Sequence, residues 1–457
     1  MSKKNENKID MVNGPILKGI IMFALPLAIS SFLQQVLNAA DVIVCGKFVG
    51  SKALAAVGVN TNIMNLAINL FLGLSVGVNV VIANYIGMDR KERISPVIHS
   101  VIPFSFIIGL IFTTVGIILS DDILIIMQTP EDIFKDAREY LIMLLIGMPG
   151  SIVYNFGSAV LRSKGDTKRP LYILFITGFI NVILNVILVT VVKLGVLGVA
   201  ISTVVSIYIS AMMIFYLLTK EEEYLRFDIK KIKISREPIF KVFTIGLPSA
   251  VQGAVFSISN ITIQAAINSL GSVAVAGNSA ANNIDSVEYM LLNSFSQAGT
   301  TFTSQNIGAR RIDRLKKIFR CAMLSATIST FLVACLFYLN LPFVSSLFTD
   351  EEAVKEYMRI RFMYVAFPTF LEAGFDTVGG ILRGMGHSNF PAFVIVIGTL
   401  GVRMLWVFTV FATHQTYQSV LLVYPISWII MGFIMITYYF IVRKKDFELI
   451  ESGVVTF

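Results

Sequence analysis

Charged side chains are scarce in this chain, at 14% of 457 residues, and long polar runs are scarcer still. The longest polar stretch, residues 220–237, is too short to bury a core of its own, so a soluble catalytic domain has no room. Cysteine is nearly absent: Cys45, Cys321 and Cys335 all lie in apolar runs, without CxxC or zinc-ligand spacing, which argues against disulfides and a structural metal. His99, His387 and His414 are too scattered for a metal or acid–base cluster and read as ordinary polar positions near membrane ends. No GxxxxGK[ST] phosphate loop occurs, since Gly46-Lys47 is followed by Phe48, so no nucleotide is expected as fuel. No nucleophile–base pair and no cofactor motif stands out, and an enzyme is not expected.

What fills the chain instead is hydrocarbon. Hydrophobic residues make up 55% and the mean hydropathy is +0.76, values that belong to an integral membrane protein. Crossing a bilayer as a helix takes about 20 apolar residues. Runs of that kind cover residues 16–45, 53–86, 94–119, 135–160, 170–192 and 196–219, then 239–268, 273–306, 312–340, 353–382, 390–412 and 419–442. They are apolar on every face rather than alternating at period two, which rules for helices and against a barrel. The fold class expected is all-α with twelve transmembrane helices. Lys3, Lys4 and Lys8 precede a first run longer than the apolar core of a signal peptide, so that run reads as a retained helix.

Lys and Arg number 28 in alternate connections and 8 in the opposite ones, the latter including Lys355, Arg359 and Arg361; Arg403 stands alone inside a span. The positive-inside rule puts the first set and both termini in the cytoplasm of a multi-pass protein of the cell membrane. Topology then accounts for the net charge of +8 without a nucleic-acid partner.

Two decapeptides repeat Leu, Arg, Gly and Pro at an offset of 221 residues: Leu161, Arg162, Gly165 and Pro170 answer Leu382, Arg383, Gly386 and Pro391. Gly50-Ser51 answers Gly271-Ser272 and Arg93 answers Arg314 at the same offset. The repeat divides the chain into an amino-terminal lobe (1–219), a cytoplasmic linker (220–237) and a carboxy-terminal lobe (238–457). Six spans per lobe is an even number, so both lobes cross in the same direction, as two pseudo-symmetric six-helix bundles related by an axis along the membrane normal. Rocking of two such bundles about a central cleft is the expected mechanism, with a monomer as the expected state.

A proline in the first span (Pro26), the LRxxGxxxxxP stretch after the fourth span, its copy after the tenth, and the basic connection between the sixth and seventh resemble the multidrug and toxic compound extrusion (MATE) transporters over about residues 15–445. The resemblance implies an antiporter that exports organic cations against an inward flow of protons or sodium ions.

Buried charge is costly in a bilayer, about 2.5 to 3.5 kcal/mol at a helix centre, so intramembrane carboxylates are functional candidates. Asp41 lies on the first span beyond Pro26, which can hinge that helix. Asn181 and Asn185, four apart on the fifth span, share a face at comparable depth, and the three could form an oxygen cage for a hard cation such as a transient sodium ion. The resemblance implies the same pairing, although it leads one to expect a second carboxylate where Asn185 stands. Asp285 and Glu288, with Asn278 and Asn282, form one face of the eighth span and supply negative charge for a cationic cargo; the second-span counterpart carries only Asn62 and Asn65. Glu372 and Asp376 on the tenth span are candidates for ion coupling or for a salt bridge to Arg403. The rival reading is a flippase or exporter of a lipid-linked or amphipathic metabolite, whose cleft would be basic.

Overall fold

The computed structural model describes residues 9–451 apart from the side chains of Asn62, Ile450 and Glu451; Lys3, Lys4, Lys8 and the Asn62 side chain therefore lie outside the described residues. Twelve helical spans follow one another: α1 Ile16–Phe48, α2 Ser51–Gly87, α3 Lys91–Ile118, α4 Glu131–Ser163, α5 Lys168–Val191, α6 Val196–Thr219, α7 Arg236–Asn268, α8 Ser272–Gly308, α9 Ile312–Leu339, α10 from Glu352 to Gly384, α11 Asn389–Phe411 and α12 Tyr417–Leu449. No strand occurs among the described residues. In hydrocarbon each backbone polar group must be satisfied within its own segment, and helices do this.

Ten of these helices are long and apolar enough to cross a membrane on those grounds alone. The exceptions, α8 and α10, are the two that carry Asn278, Asn282, Asp285, Glu288, Arg361, Glu372 and Asp376. Helix α10 is also broken, by a π-helical turn at Phe362–Ala366 ahead of Pro368. Two short helices, Ser120–Ile126 and Leu341–Ser346, follow α3 and α9.

The repeat is written in the backbone. Helices α1 and α7 are each 33 residues long, α2 and α8 each 37, α3 and α9 each 28. Gly165 and Gly386 have φ of 94° and 93°, a region open to glycine at little cost. Each closes its helix by donating to the carbonyl three residues back, Arg162 at 2.9 Å and Arg383 at 3.0 Å. That geometry explains the glycine of the LRxxG motif. Asp89 and Arg310, again 221 apart in sequence, share φ of 53° and 55°.

Contacts divide the described chain into two compact units. One holds Ile29–Ile86 and Arg90–Phe243; the other holds Ile9–Ala28, Gly87–Asp89 and the chain from Thr244. In the first unit α4 packs on α3 and α6; in the second its counterpart α10 packs on α8, α9 and α12. The repeat assigns the first span wholly to the amino-terminal lobe, but packing splits α1 two residues after Pro26 and splits α7 before Pro248. In the second unit Phe23 meets Phe302 edge to face at 6.2 Å, and Asn306 Nδ2 donates to the Met11 carbonyl at 2.9 Å. In the first, Phe243 meets Phe104 edge to face at 5.6 Å, and Lys241 Nζ donates to Tyr85 at 3.2 Å.

Candidate functional site

The turn at Lys193–Gly195, with φ of 59° and 58° at its ends, folds α6 back along α5. The end of α5 and the start of α6 thereby become neighbours, and Asp41 of α1 meets both. Its Oδ1 accepts from Asn185 Nδ2, and its Oδ2 accepts from Thr203 Oγ1 at 3.1 Å. Asn185 is held by Ser202, which donates to Oδ1 at 2.7 Å, and Asn181 Nδ2 donates to Thr203 Oγ1 at 3.4 Å. Asp41, Asn181, Asn185 and Ser202 are buried, walled by Val44, Cys45, Tyr140 and Val189. Asn181 Oδ1 is buried without a hydrogen-bond partner among the described residues. The carboxylate meets only neutral donors, and the orphaned amide oxygen adds a further acceptor. Such oxygen-rich chemistry suits a proton or a hard monovalent cation.

The sequence face arithmetic brought Asp41, Asn181 and Asn185 together, and they do meet. Ser202 and Thr203 were missed. Their only signal was an adjacent hydroxyl pair early in the sixth span, too common in membrane helices to single out.

The second unit arranges its polar groups differently. Arg361, counted from the sequence in an outer connection, is buried at 4% exposure against α8. Its guanidinium donates to Asp285 Oδ2 at 2.7 and 2.9 Å, to Asn278 Oδ1 at 2.6 Å and to Asn282 Oδ1 at 2.7 Å. Tyr417 adds a hydrogen bond to Asn278 Oδ1 at 3.1 Å. Asp285, Asn278 and Asn282 are therefore committed to one arginine. Asp285, expected to offer charge to a cationic cargo, thus has that charge met at close range by Arg361. Glu288 is the member of that face left over, fully buried with no hydrogen-bond partner for either carboxylate oxygen among the described residues.

Arg403 also departs from expectation. Among the described residues no carboxylate lies within 4.0 Å; Nη1 donates to Asn260 Oδ1 at 3.2 Å, and the guanidinium lies 4.5 Å from the centre of the Tyr424 ring and 5.7 Å from that of Phe256. Arg361 stands over the same Tyr424 ring at 5.5 Å. Aromatic faces thus take over part of the work given to a carboxylate in the sequence reading. Asp376 pairs instead with Arg383, at 3.9 Å, and Arg383 also reaches Gln252 Oε1 at 3.2 Å. Glu372 is buried and in no ion pair among the described residues. Sequence separation hid these partners, since α7, α8, α10, α11 and α12 all contribute.

The repeated turns are tethered too. Beside Gly165, buried Lys164 pairs with Glu221 at 2.5 Å, and Arg169 joins both Glu221, at 2.5 Å, and Asp166. Burial by itself would raise the Glu221 carboxyl, but Lys164 and Arg169 outweigh it and hold the group below its ordinary value. Beside Gly386, His387 Nε2 meets Asp446 Oδ2 at 2.9 Å.

A family model described as MatE matches residues 26–187 and again 248–409, once in each repeat. The probable multidrug resistance protein YoeA of Bacillus subtilis (strain 168) is 27% identical over 440 residues, covering 94% of each chain. A protein of Shewanella oneidensis named FAD transporter is 23% identical, covering 92% of this chain and 94% of that one. Among solved structures, the outward-facing conformation of a multidrug resistance MATE family transporter of the MOP superfamily superposes with a TM-score of 0.89 over 97% of this chain and 99% of that one, at 23% identity.

Proposed function

The chain belongs to the MatE family of multidrug efflux transporters, and from that premise we propose that it is a secondary antiporter exporting organic cations in exchange for protons or sodium ions. The observation that carries the coupling half of the proposal is Asp41, a buried carboxylate on a membrane helix whose partners Asn185 and Thr203 are neutral donors. A salt-bridged carboxylate is committed to its partner, whereas one held by an amide and a hydroxyl can exchange a proton or a small cation. Bending of α1 at Pro26 would then pass the state of this site along the helix. The protein works as a monomer in the cell membrane with both termini in the cytoplasm, and its binding groups become accessible from the two sides alternately.

Glu288, unpartnered where Asp285 is not, is the carboxylate we assign to cationic cargo. Glu372 and Asp376 remain candidates for coupling, with Arg383 as the existing partner of Asp376. One proton for one monovalent cation leaves only the pH difference as drive, about 1.4 kcal/mol per unit. A second coupling ion adds about 2.3 kcal/mol per 100 mV of membrane potential.

The test is efflux of a cationic dye from vesicles under separately imposed sodium and pH gradients, with the unaltered protein and Asp41→Asn. The expected result is gradient-driven efflux that Asp41→Asn abolishes while its amount in the membrane is unchanged. Undiminished efflux by the variant removes Asp41 from the mechanism. A second reading, export of an amphipathic or lipid-linked metabolite, has one observation in its favour: among the described residues Arg403 is buried with no carboxylate in ion-pair reach, which leaves it able to bind a cargo phosphate or carboxylate. The likeness to the protein named FAD transporter points the same way. Movement of a phosphate-bearing amphiphile without movement of the dye would decide for it.

A further inference from the structure

The first unit carries an apolar groove of about 490 Å³ between α5 and α6, lined by Tyr172, Ile176, Ile209, Met212 and Tyr216. On α6 the lining recurs at positions 209, 212, 213, 216 and 217, three and four residues apart, which is one stripe of a helix. Tyr172, Met212 and Tyr216 are 55%, 61% and 60% exposed. In a chain that spans the membrane, such a face meets lipid, and a recess in it takes a chain that lies along it.

Its mouth is basic. Arg169 lines the groove, with Nε and Nη2 engaged by Asp166 and Glu221. Lys220 holds its ammonium 5.7 Å from the centre of the Tyr216 ring, and neither it nor Lys168 has a carboxylate within 4.0 Å among the described residues. Asp166 and Glu221 are already taken up by Arg169 and Lys164, while Glu222 and Glu223 lie beyond Lys220 in the connection. We infer that this groove is a binding site for an anionic phospholipid, one acyl chain between α5 and α6 and the headgroup phosphate between Lys168, Arg169 and Lys220.

The repeat supplies a comparison within the same chain. At the 221 offset Arg169 becomes Phe390, which stacks on Tyr438 at 3.6 Å, and Lys220 becomes Ile441. Arg169 and Lys220 thus have no basic residue at the matching positions, and the nearest cations of the second unit, Arg443, Lys444 and Lys445, come two to four residues past Ile441. Each cation near a headgroup favours the anionic lipid about fivefold.

The experiment uses the full-length protein, purified and stripped of lipid, then titrated with phosphatidylglycerol or phosphatidylcholine of the same acyl chains. Retention is read by native mass spectrometry and by the melting temperature. Phosphatidylglycerol is expected to bind at least about fivefold more tightly and to raise the melting temperature. Lys220→Gln should lower that preference about fivefold while leaving chain occupancy, and Met212→Trp, which fills the groove, should remove both. Equal retention of the two lipids by the unaltered protein overturns the proposal, as does a preference untouched by Lys220→Gln. If inorganic phosphate alone reproduces the thermal shift, the groove is not part of the site and the proposal also fails. None of these readouts depends on transport, so a wrong cargo or coupling ion leaves this test unaffected.

Discussion

The same turn closes the fourth helix of each unit, yet the two units tie it down with different chemistry. In the first, Lys164 and Arg169 hold Glu221 just past the end of α6; in the second, His387 holds Asp446 near the end of α12. The polar groups deeper in the units differ in the same manner. Asp41 is met by an amide and a hydroxyl, whereas Asp285 is clamped by Arg361. Duplication kept what the backbone requires, the glycine at φ near 94° and 93°, and let the side-chain charges diverge. A feature that both copies share belongs to the scaffold, and one that only a single copy has is where function is to be sought.

The contrast can be broken most forcefully at Arg361. Arg361→Ala leaves Asp285 buried beside two amides with no cation, and a loss of about 3 to 5 kcal/mol of stability is expected in thermal melts. Restoring most of that stability by adding Asp285→Asn would identify the clamp as an ion pair; no recovery would mean that Arg361 acts mainly through Asn278, Asn282 and Tyr424. Next in size is Glu221→Gln, which strands the buried ammonium of Lys164 at a cost near 3 kcal/mol. His387→Gln should cost under about 1 kcal/mol, because its side chain is 34% exposed.

Acid should act on the first tether in a defined direction. Because the folded-state value of Glu221 lies below the ordinary 4.5, its contribution is complete above that value and is lost as pH falls through the lower folded one. Melting temperature against pH should therefore fall more steeply on the acid side for the unaltered protein than for Glu221→Gln. Gly165→Ala and Gly386→Ala should cost similar amounts, about 1 to 3 kcal/mol each, since the strained conformation is the same in both. Unequal losses would show that the turns share only their shape. As small as that of His387→Gln is the effect of Asp41→Asn on stability, within about 1 kcal/mol, because its partners are neutral and an amide can keep one of the two bonds.

Apolar length marks ten of the twelve spans, because it leaves a helix few alternatives, while the polar α8 and the broken α10 are the two that it does not mark by itself. The offset of 221 exposed the duplication, and spacing on a helix paired Asn181 with Asn185 across from Asp41. Arg361 was illegible for a physical reason: charge counting treats a basic residue near a span end as solvated, and its burial depends on meeting α8, which precedes it by some 80 residues. The broken α10 was hidden too, since Pro368 marks a bend but gives no sign of a π-helical turn before it. Ser202 and Thr203 are ordinary in composition and become special only once the α5–α6 turn sets them beside Asp41.

The exchange of helix ends between the units bears on how the protein is made. The Met11 carbonyl is met by Asn306, 295 residues later, and Phe23 by Phe302. On the ribosome, α1 must enter the membrane long before the unit that holds its first half has been translated. Insertion and packing are thereby separated in time, with the early helices waiting as unassembled spans. A chain severed between α6 and α7 would leave both fragments incomplete, each lacking a helix end that the other carries.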